Sequence, residues 1–174
     1  MKSKENIVFL GMMGSGKTSL GSMISKKLKK DFFDTDKIIE EELKSSILDI
    51  FKNKGESFFR ETEEKITLKI LKYKNSVISL GGGAFLNKKI RKEILSNHLS
   101  FWLKWDNKTL IKRVKNSHKR PIANKLSESE LIDLIKKRSY FYSKALYKVN
   151  CDNLTKNELV QKIINIYEAN KINS

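Results

Sequence analysis

The stretch Gly11-Met12-Met13-Gly14-Ser15-Gly16-Lys17-Thr18 constrains the fold of this chain more than any other part of it. It fits the pattern G-x-x-x-x-G-K-[ST] and has the setting that the pattern requires. Before it, Ile7 to Leu10 is a short apolar run that reads as a buried strand. After it, Leu20, Met23, Ile24 and Leu28 recur at helical spacing to about Lys29. A strand that turns through glycines straight into a helix exposes a row of unpaired backbone amides. Those amides, with Lys17 reaching the β- and γ-oxygens and the Thr18 hydroxyl available to magnesium, predict a nucleotide phosphate site.

The rest of the chain continues the alternation. Phe32 to Thr35 reads as a second strand, followed by a helical stretch with Ile38, Ile39 and Leu43 inward and then Ile47 to Phe51. Beyond Gly55 a longer helix carries Phe59, Ile66, Ile70 and Leu71. Ser76 to Leu80 is a third strand closed by Gly81-Gly82-Gly83, a short helix spans about Lys88 to Leu95, and Leu99 to Leu103 is a fourth strand. A helix from Asp106 to about Lys115 precedes a polar stretch, His118 to Lys125, holding the only proline, Pro121. Ser127 with Glu130 and Thr155 with Glu158 fit the capping box and start the last two helices, with Tyr147 to Asn150 a fifth strand between them. Alternating strands and helices predict an α/β three-layer sandwich with a parallel sheet, and without repeats or Gly/Pro/Ser-rich linkers residues 1–174 read as one domain.

Charge narrows the function classes. The formal net charge is +16, from 36 basic against 20 acidic residues, which invites a nucleic-acid interface. Only Arg60, Arg91, Arg113, Arg120 and Arg138 are arginines, however, and the lysines lie scattered among abundant Asn and Ile, as a compositional bias over a solvated surface would leave them. No nucleic-acid partner is therefore expected, although a positive field favours capture of small anionic substrates. Ile7 to Leu10 is too short for a signal-peptide core or a membrane span, and Cys151 is the only cysteine, so a reduced, cytoplasmic protein with no membrane partner is expected.

The third strand ends Val77-Ile78-Ser79-Leu80-Gly81-Gly82-Gly83 with no acid where most phosphate-loop ATPases and GTPases keep one for magnesium, and no N-K-x-D guanine signature occurs. With no room for a motor or regulatory domain, this points to a small-molecule kinase that closes a lid over its substrates. Phe33-Asp34-Thr35-Asp36, Gly55-Glu56 with Phe59-Arg60 and Glu63, Gly81-Gly82-Gly83 and Arg120-Pro121 make this specific. Together with the phosphate loop they resemble shikimate kinase, in the family's order and spacing, from about residue 6 to about residue 150. The resemblance implies transfer of the ATP γ-phosphoryl group to the 3-hydroxyl of shikimate, on the route to chorismate and aromatic amino acids. It implies a fold like that of nucleoside monophosphate kinases, with five parallel strands, a substrate-binding region at about 34–62 and a lid at about 115–127. ATP and shikimate are the implied partners, Mg2+ the implied cofactor, and a monomer the implied state.

Position by position, the resemblance gives Asp36 the shikimate hydroxyls and the proton released in the attack. Asp34 matches the acid near magnesium, acting through water beside Thr18, in place of the missing strand-end acid. The ATP-binding set is Gly14, Ser15, Gly16, Lys17, Thr18, Ser19, Arg113 and Arg120, with Lys17 and Arg120 also catalytic, Arg120 by reaching the transferring phosphate from the lid. Arg60 and Arg138 match the arginines that hold the substrate carboxylate, and Gly81, Gly82 and Gly83 match the backbone that approaches the ring. A planar guanidinium grips a carboxylate bidentately, so in a chain this rich in lysine a retained arginine has a geometric reason. Glu63, one turn after Arg60, can fix its orientation.

Plainer readings compete with these. One of the aspartates would simply cap the helix starting near Lys37. Arg60 would pair with Glu64 on the surface, and Arg120 would be a solvated loop cation. His98 and His118 read as loop or surface residues, Phe51, Phe58 and Phe59 as core and pocket wall, and Trp102 and Trp105 as strand-end packing. The loop Cys151 to Leu154 lacks the basic residue that many family members carry near the adenine. A kinase for gluconate or a nucleoside monophosphate is the nearest alternative, weakened by the lack of G-F-P-R after the third strand; a phosphate-loop nucleic-acid-binding protein is the alternative from another class.

Overall fold

A computed structural model describes residues 6–116 and 126–172. Five strands, β1 (Ile7–Leu10), β2 (Asp31–Asp34), β3 (Ser76–Ser79), β4 (Leu99–Lys104) and β5 (Tyr147–Asn150), form one sheet in the order β2-β3-β1-β4-β5. Every pairing is parallel, as the alternation with helices requires. The helices are α1 (Lys17–Leu28), α2 (Thr35–Leu43), α3 (Ile47–Leu71), α4 (Lys88–Asn97), α5 (Asn107–Lys115), α6 (Glu128–Tyr142) and α7 (Lys156–Ile172).

Strand periodicity of two divides the core. Val8, Leu10, Ile78 and Trp102 point to one face, where they pack with Ile39 of α2, Phe59 and Ile66 of α3, Ile90 of α4, Leu110 of α5 and Leu131 of α6. Ile7, Phe9, Val77, Phe101 and Val149 point to the other, against Leu20 and Ile24 of α1 and Leu159 and Ile163 of α7. The result is the expected α/β three-layer sandwich, with strands buried on both sides and therefore read as continuous apolar runs.

Local signals set the helix boundaries. Ser46 caps α3 by accepting from the Asp49 amide at 3.1 Å, and both halves of the Ser127–Glu130 capping box start α6. Thr155 and Glu158 do the same for α7, with the Thr155 amide donating to Glu158 Oε2 at 2.7 Å. Gly55, at φ 82°, breaks α3 internally, where the two apolar stretches meet. The second strand ends one residue earlier than its sequence suggests, because Thr35 already opens α2. Asp34 and Asp36 are therefore a strand end and a first helical turn.

All five strands run the same way, so their carboxyl ends lie on one edge. The glycine loop after β1, the acids after β2 and the triple-glycine turn after β3 all open there, where parallel α/β sheets hold their ligands.

Candidate active site

The loop after β1 delivers α1 with a bare amino end. Gly16 is the N-cap at φ 90° and supplies no side chain to the first-turn amides, which stay available to an anion. Gly14 also sits at positive φ, 81°, a conformation that a Cβ would strain. Lys17 is buried, with Nζ donating to the Gly11 and Met12 carbonyls at 2.8 and 2.9 Å, so its charge is held directly over the loop. Thr18 and Ser19 are exposed in the first turn of α1, and the Thr18 hydroxyl donates to Asp34 Oδ2 at 2.5 Å.

Two residues from other elements brace this loop. The Trp105 indole, just past β4, donates to the Ser15 carbonyl at 2.9 Å. The Arg113 guanidinium lies 3.6 Å from the centre of the Trp105 ring, and its Cβ packs against Gly14. Arg113 is thus beside the phosphate loop, as its assignment to the nucleotide requires. Trp105 does more than strand-end packing; its only sequence signal is its place after a strand that ends on the ligand edge. The loop after β5 is tied in as well, Asp152 Oδ1 accepting from the Asp106 amide at 3.1 Å.

Asp34 caps α2, accepting from the Lys37 amide at 3.3 Å, and meets Thr18 with its other oxygen. The capping reading and the metal-side reading are therefore both compatible with its geometry. The donor set formed by Thr18 and Asp34 is all oxygen, which fits a hard cation such as Mg2+ that takes its other ligands from water and phosphate. No cluster of three or more His, Cys, Asp or Glu suited to a metal occurs among the described residues.

Across the crevice the Gly81–Gly83 turn forms a floor against which four charged side chains lie. Asp36 and Glu63 rest on Gly81, Arg138 on Gly82 and Arg60 on Gly83, each so closely that a Cβ at Gly81 or Gly83 would overlap them. Arg60 Nη1 donates to Glu63 Oε2 at 2.7 Å, and its Nη2 meets Glu56 Oε1 at 3.3 Å. Glu64 instead binds Lys89 at 2.6 Å, so the expected surface pair of Arg60 with Glu64 is replaced by a deeper one with Glu63. Phe59 and Phe51 lie beneath the guanidinium, 5.1 and 5.9 Å from it. Arg138 Nη1 is 4.0 Å from Met12 Sδ, and its buried Nε has no hydrogen-bond partner among the described residues.

Electrostatics follow from depth. Burial pushes the Glu63 carboxyl above its ordinary value, with Arg60 and Arg138 pulling the other way. Burial also works against the Arg60 charge, but Glu63 and Glu56 outweigh it and hold the guanidinium above its ordinary value. Glu63 is the deeper partner, 3% exposed against 36% for Arg60, so it loses more water. His98, expected in a loop or on the surface, is buried, with Nε2 3.7 Å from Glu93 Oε1. Arg120, His118 and the body of the expected lid lie outside the described residues.

A glycine loop opening a helix after the central strand, an acid beside its threonine, and an arginine-lined floor one strand over define a phosphate-loop kinase of small molecules. The family model described as Shikimate kinase matches residues 13–168, and the chain belongs to that family. The shikimate kinase of Thermodesulfovibrio yellowstonii is 37% identical over 165 residues, covering 94% of this chain and 95% of the relative. That of Bacillus subtilis is 38% identical over 169 residues, covering 92% and 88%. Among solved structures, shikimate kinase from Acinetobacter baumannii in complex with shikimate superposes with a TM-score of 0.89 at 28% identity, covering 98% of this chain and 96% of that one.

Proposed function

We infer that this chain transfers the γ-phosphoryl group of ATP to the 3-hydroxyl of shikimate, giving shikimate 3-phosphate and ADP for chorismate and aromatic amino acid synthesis. The observation that carries the reading is the convergence of Asp36, Arg60 and Arg138 on the Gly81–Gly83 floor beside the phosphate loop. Two guanidinium groups on the same floor suit a substrate carboxylate, and the carboxylate beside them on Gly81 suits a hydroxyl. The Acinetobacter baumannii relative is described with shikimate bound, which supports the same ligand here.

In this reading Arg60 and Arg138 grip the carboxylate while the backbone of Gly81, Gly82 and Gly83 lies along the ring. Asp36 accepts from the 3-hydroxyl and takes its proton as the oxygen attacks. The new bond joins that oxygen to the γ-phosphorus; the bond to the β–γ bridging oxygen breaks, and its electron pair leaves on ADP. Gly14, Ser15, Gly16 and Ser19 surround the phosphates with amides and hydroxyl, Lys17 moves from the loop carbonyls to the β/γ oxygens, and Arg113 guards the nucleotide side. Thr18, with Asp34 through water, would hold Mg2+, which when bound neutralises charge on the β- and γ-phosphates. Arg120 keeps the role that the family resemblance implies, on the transferring phosphate, within a lid at about 115–127. A single-domain monomer working in the cytoplasm completes the reading; among the described residues no helix is long and apolar enough to cross a membrane.

The test is ADP release from ATP and magnesium with shikimate, gluconate and each nucleoside monophosphate as separate acceptors. Turnover with shikimate alone is expected. Turnover only with another acceptor would keep the fold and overturn the roles of Asp36, Arg60 and Arg138.

A further inference from the structure

Tyr142 lies one helical turn after Arg138 on α6, so both side chains leave the same face of the helix. Both land on one residue. The Tyr142 phenol donates to the Gly82 carbonyl at 2.5 Å, and Arg138 Nη1 lies 3.1 Å from the point where a Cβ at Gly82 would stand. Met12 closes the arrangement from the phosphate loop, with its sulfur 3.9 Å from the phenol oxygen and 4.0 Å from Arg138 Nη1.

The ring alone does not account for the hydroxyl. Tyr142 is 1% exposed and packs 6.1 Å from the Trp102 ring, a site that phenylalanine would fill as well. A hydroxyl in such a core is costly unless it is bonded, and here its bond reaches the middle glycine of the substrate floor. Burial pushes the phenol up to about 12, so it remains a donor throughout the neutral range.

We propose that Tyr142 is a positioning residue for substrate binding, its phenol fixing the Gly82 carbonyl to the helix turn that carries Arg138 and so setting where the Arg138 guanidinium meets the substrate. The proposal rests on the assignment of Arg138 to the shikimate carboxylate. Without the phenol, the floor and the helix are free to shift against each other, and the arginine clamp loses its register while the phosphate loop keeps its own braces at Trp105.

The experiment compares wild type, Tyr142→Phe, Arg138→Lys and the double variant in steady-state turnover of shikimate and ATP, with thermal melting of each. Tyr142→Phe should raise the shikimate KM about fivefold or more and leave the ATP KM within about twofold. In the Arg138→Lys background the same change should add less than about twofold, because the phenol acts through the arginine. An unchanged shikimate KM with a lowered Tm, or loss of the fold, would overturn the proposal in favour of a purely structural role. Equal increases in both backgrounds would also overturn it. Absence of shikimate turnover in the wild type would overturn the functional reading and this proposal together, which separates that failure from the others.

Discussion

The Thr35 hydroxyl accepts a hydrogen bond from the Gly81 amide at 2.8 Å and donates to the Ser79 carbonyl at 3.3 Å. Thr35 is fully buried between the two aspartates assigned to chemistry, so one side chain joins the acid-bearing end of β2 to the floor after β3. Thr35→Val keeps the shape and removes both bonds, leaving the buried Gly81 amide without its partner. Stability should fall by about 1–3 kcal/mol. Because Asp36 lies on Gly81, kcat/KM for shikimate should fall as well, by about tenfold. Thermal melting and steady-state kinetics on the same preparation check both; a destabilised variant with unchanged kinetics would separate Thr35 from the site.

Asp36 is the one carboxylate that touches Gly81 from the first turn of α2, where a substrate hydroxyl would lie between it and the phosphate loop. Asp36→Asn preserves volume and removes the proton acceptor. A fall in kcat of about 100-fold or more is expected, with the melting temperature little changed. A variant that retains most of its kcat would exclude Asp36 both as base and as essential anchor.

Arg60 reaches Glu63 and Glu56 with different nitrogens, and this fork orients its plane toward Gly83. An ammonium cannot hold two acids and grip a carboxylate bidentately as well. Arg60→Lys should therefore raise the shikimate KM about tenfold or more while the ATP KM stays near its wild-type value. Titration of initial rates against each substrate separately distinguishes this from a general loss of activity.

These contacts differ in how far the sequence announces them. The glycine loop and the strands carry local signals, a short apolar run and a backbone need for positive φ, and these survive folding almost unchanged. The boundary at Asp34 and Thr35 was legible only to within a residue, because the Asp34 side chain serves both the helix cap and Thr18 and extended backbone gives way there to helix. Arg60 has two acids in the turn that follows it, Glu63 and Glu64; a lysine 25 residues beyond Glu64, Lys89 on α4, removes Glu64 from the choice, and no local pattern carries that information. Trp105 reads from the sequence as strand-end packing and Tyr142 carries no signal of its own, since a ring packs the same way whether or not its polar atom finds a carbonyl.

Trp105 connects β4 to the phosphate loop through one indole hydrogen bond and carries Arg113 on its face. Trp105→Phe keeps a ring but removes the donor to Ser15 and weakens the cation–π contact. The ATP KM should rise about threefold to tenfold, with the shikimate KM unaffected. That pattern is the reverse of the one expected for Arg60→Lys, so the pair of variants maps the two halves of the crevice onto separate kinetic constants.

Glu63 makes stability depend on pH in a direction opposite to that of most paired carboxylates. Its burial raises the carboxyl above the ordinary 4.5 in spite of Arg60 and Arg138. Between 4.5 and that raised value the folded chain binds more protons on Glu63 than the unfolded chain does, so stability declines as pH rises through the window. The contribution is whole below the unfolded value and gone above the folded one. Glu63→Gln is neutral at every pH and lacks this slope. Its stability relative to wild type should therefore improve as pH rises, then level off, when both proteins are melted at intervals between about pH 4 and 8. The same variant should show a raised shikimate KM at neutral pH, because Arg60 loses its deepest partner. A stability difference that is flat across that range would show that Arg60 compensates the buried charge fully.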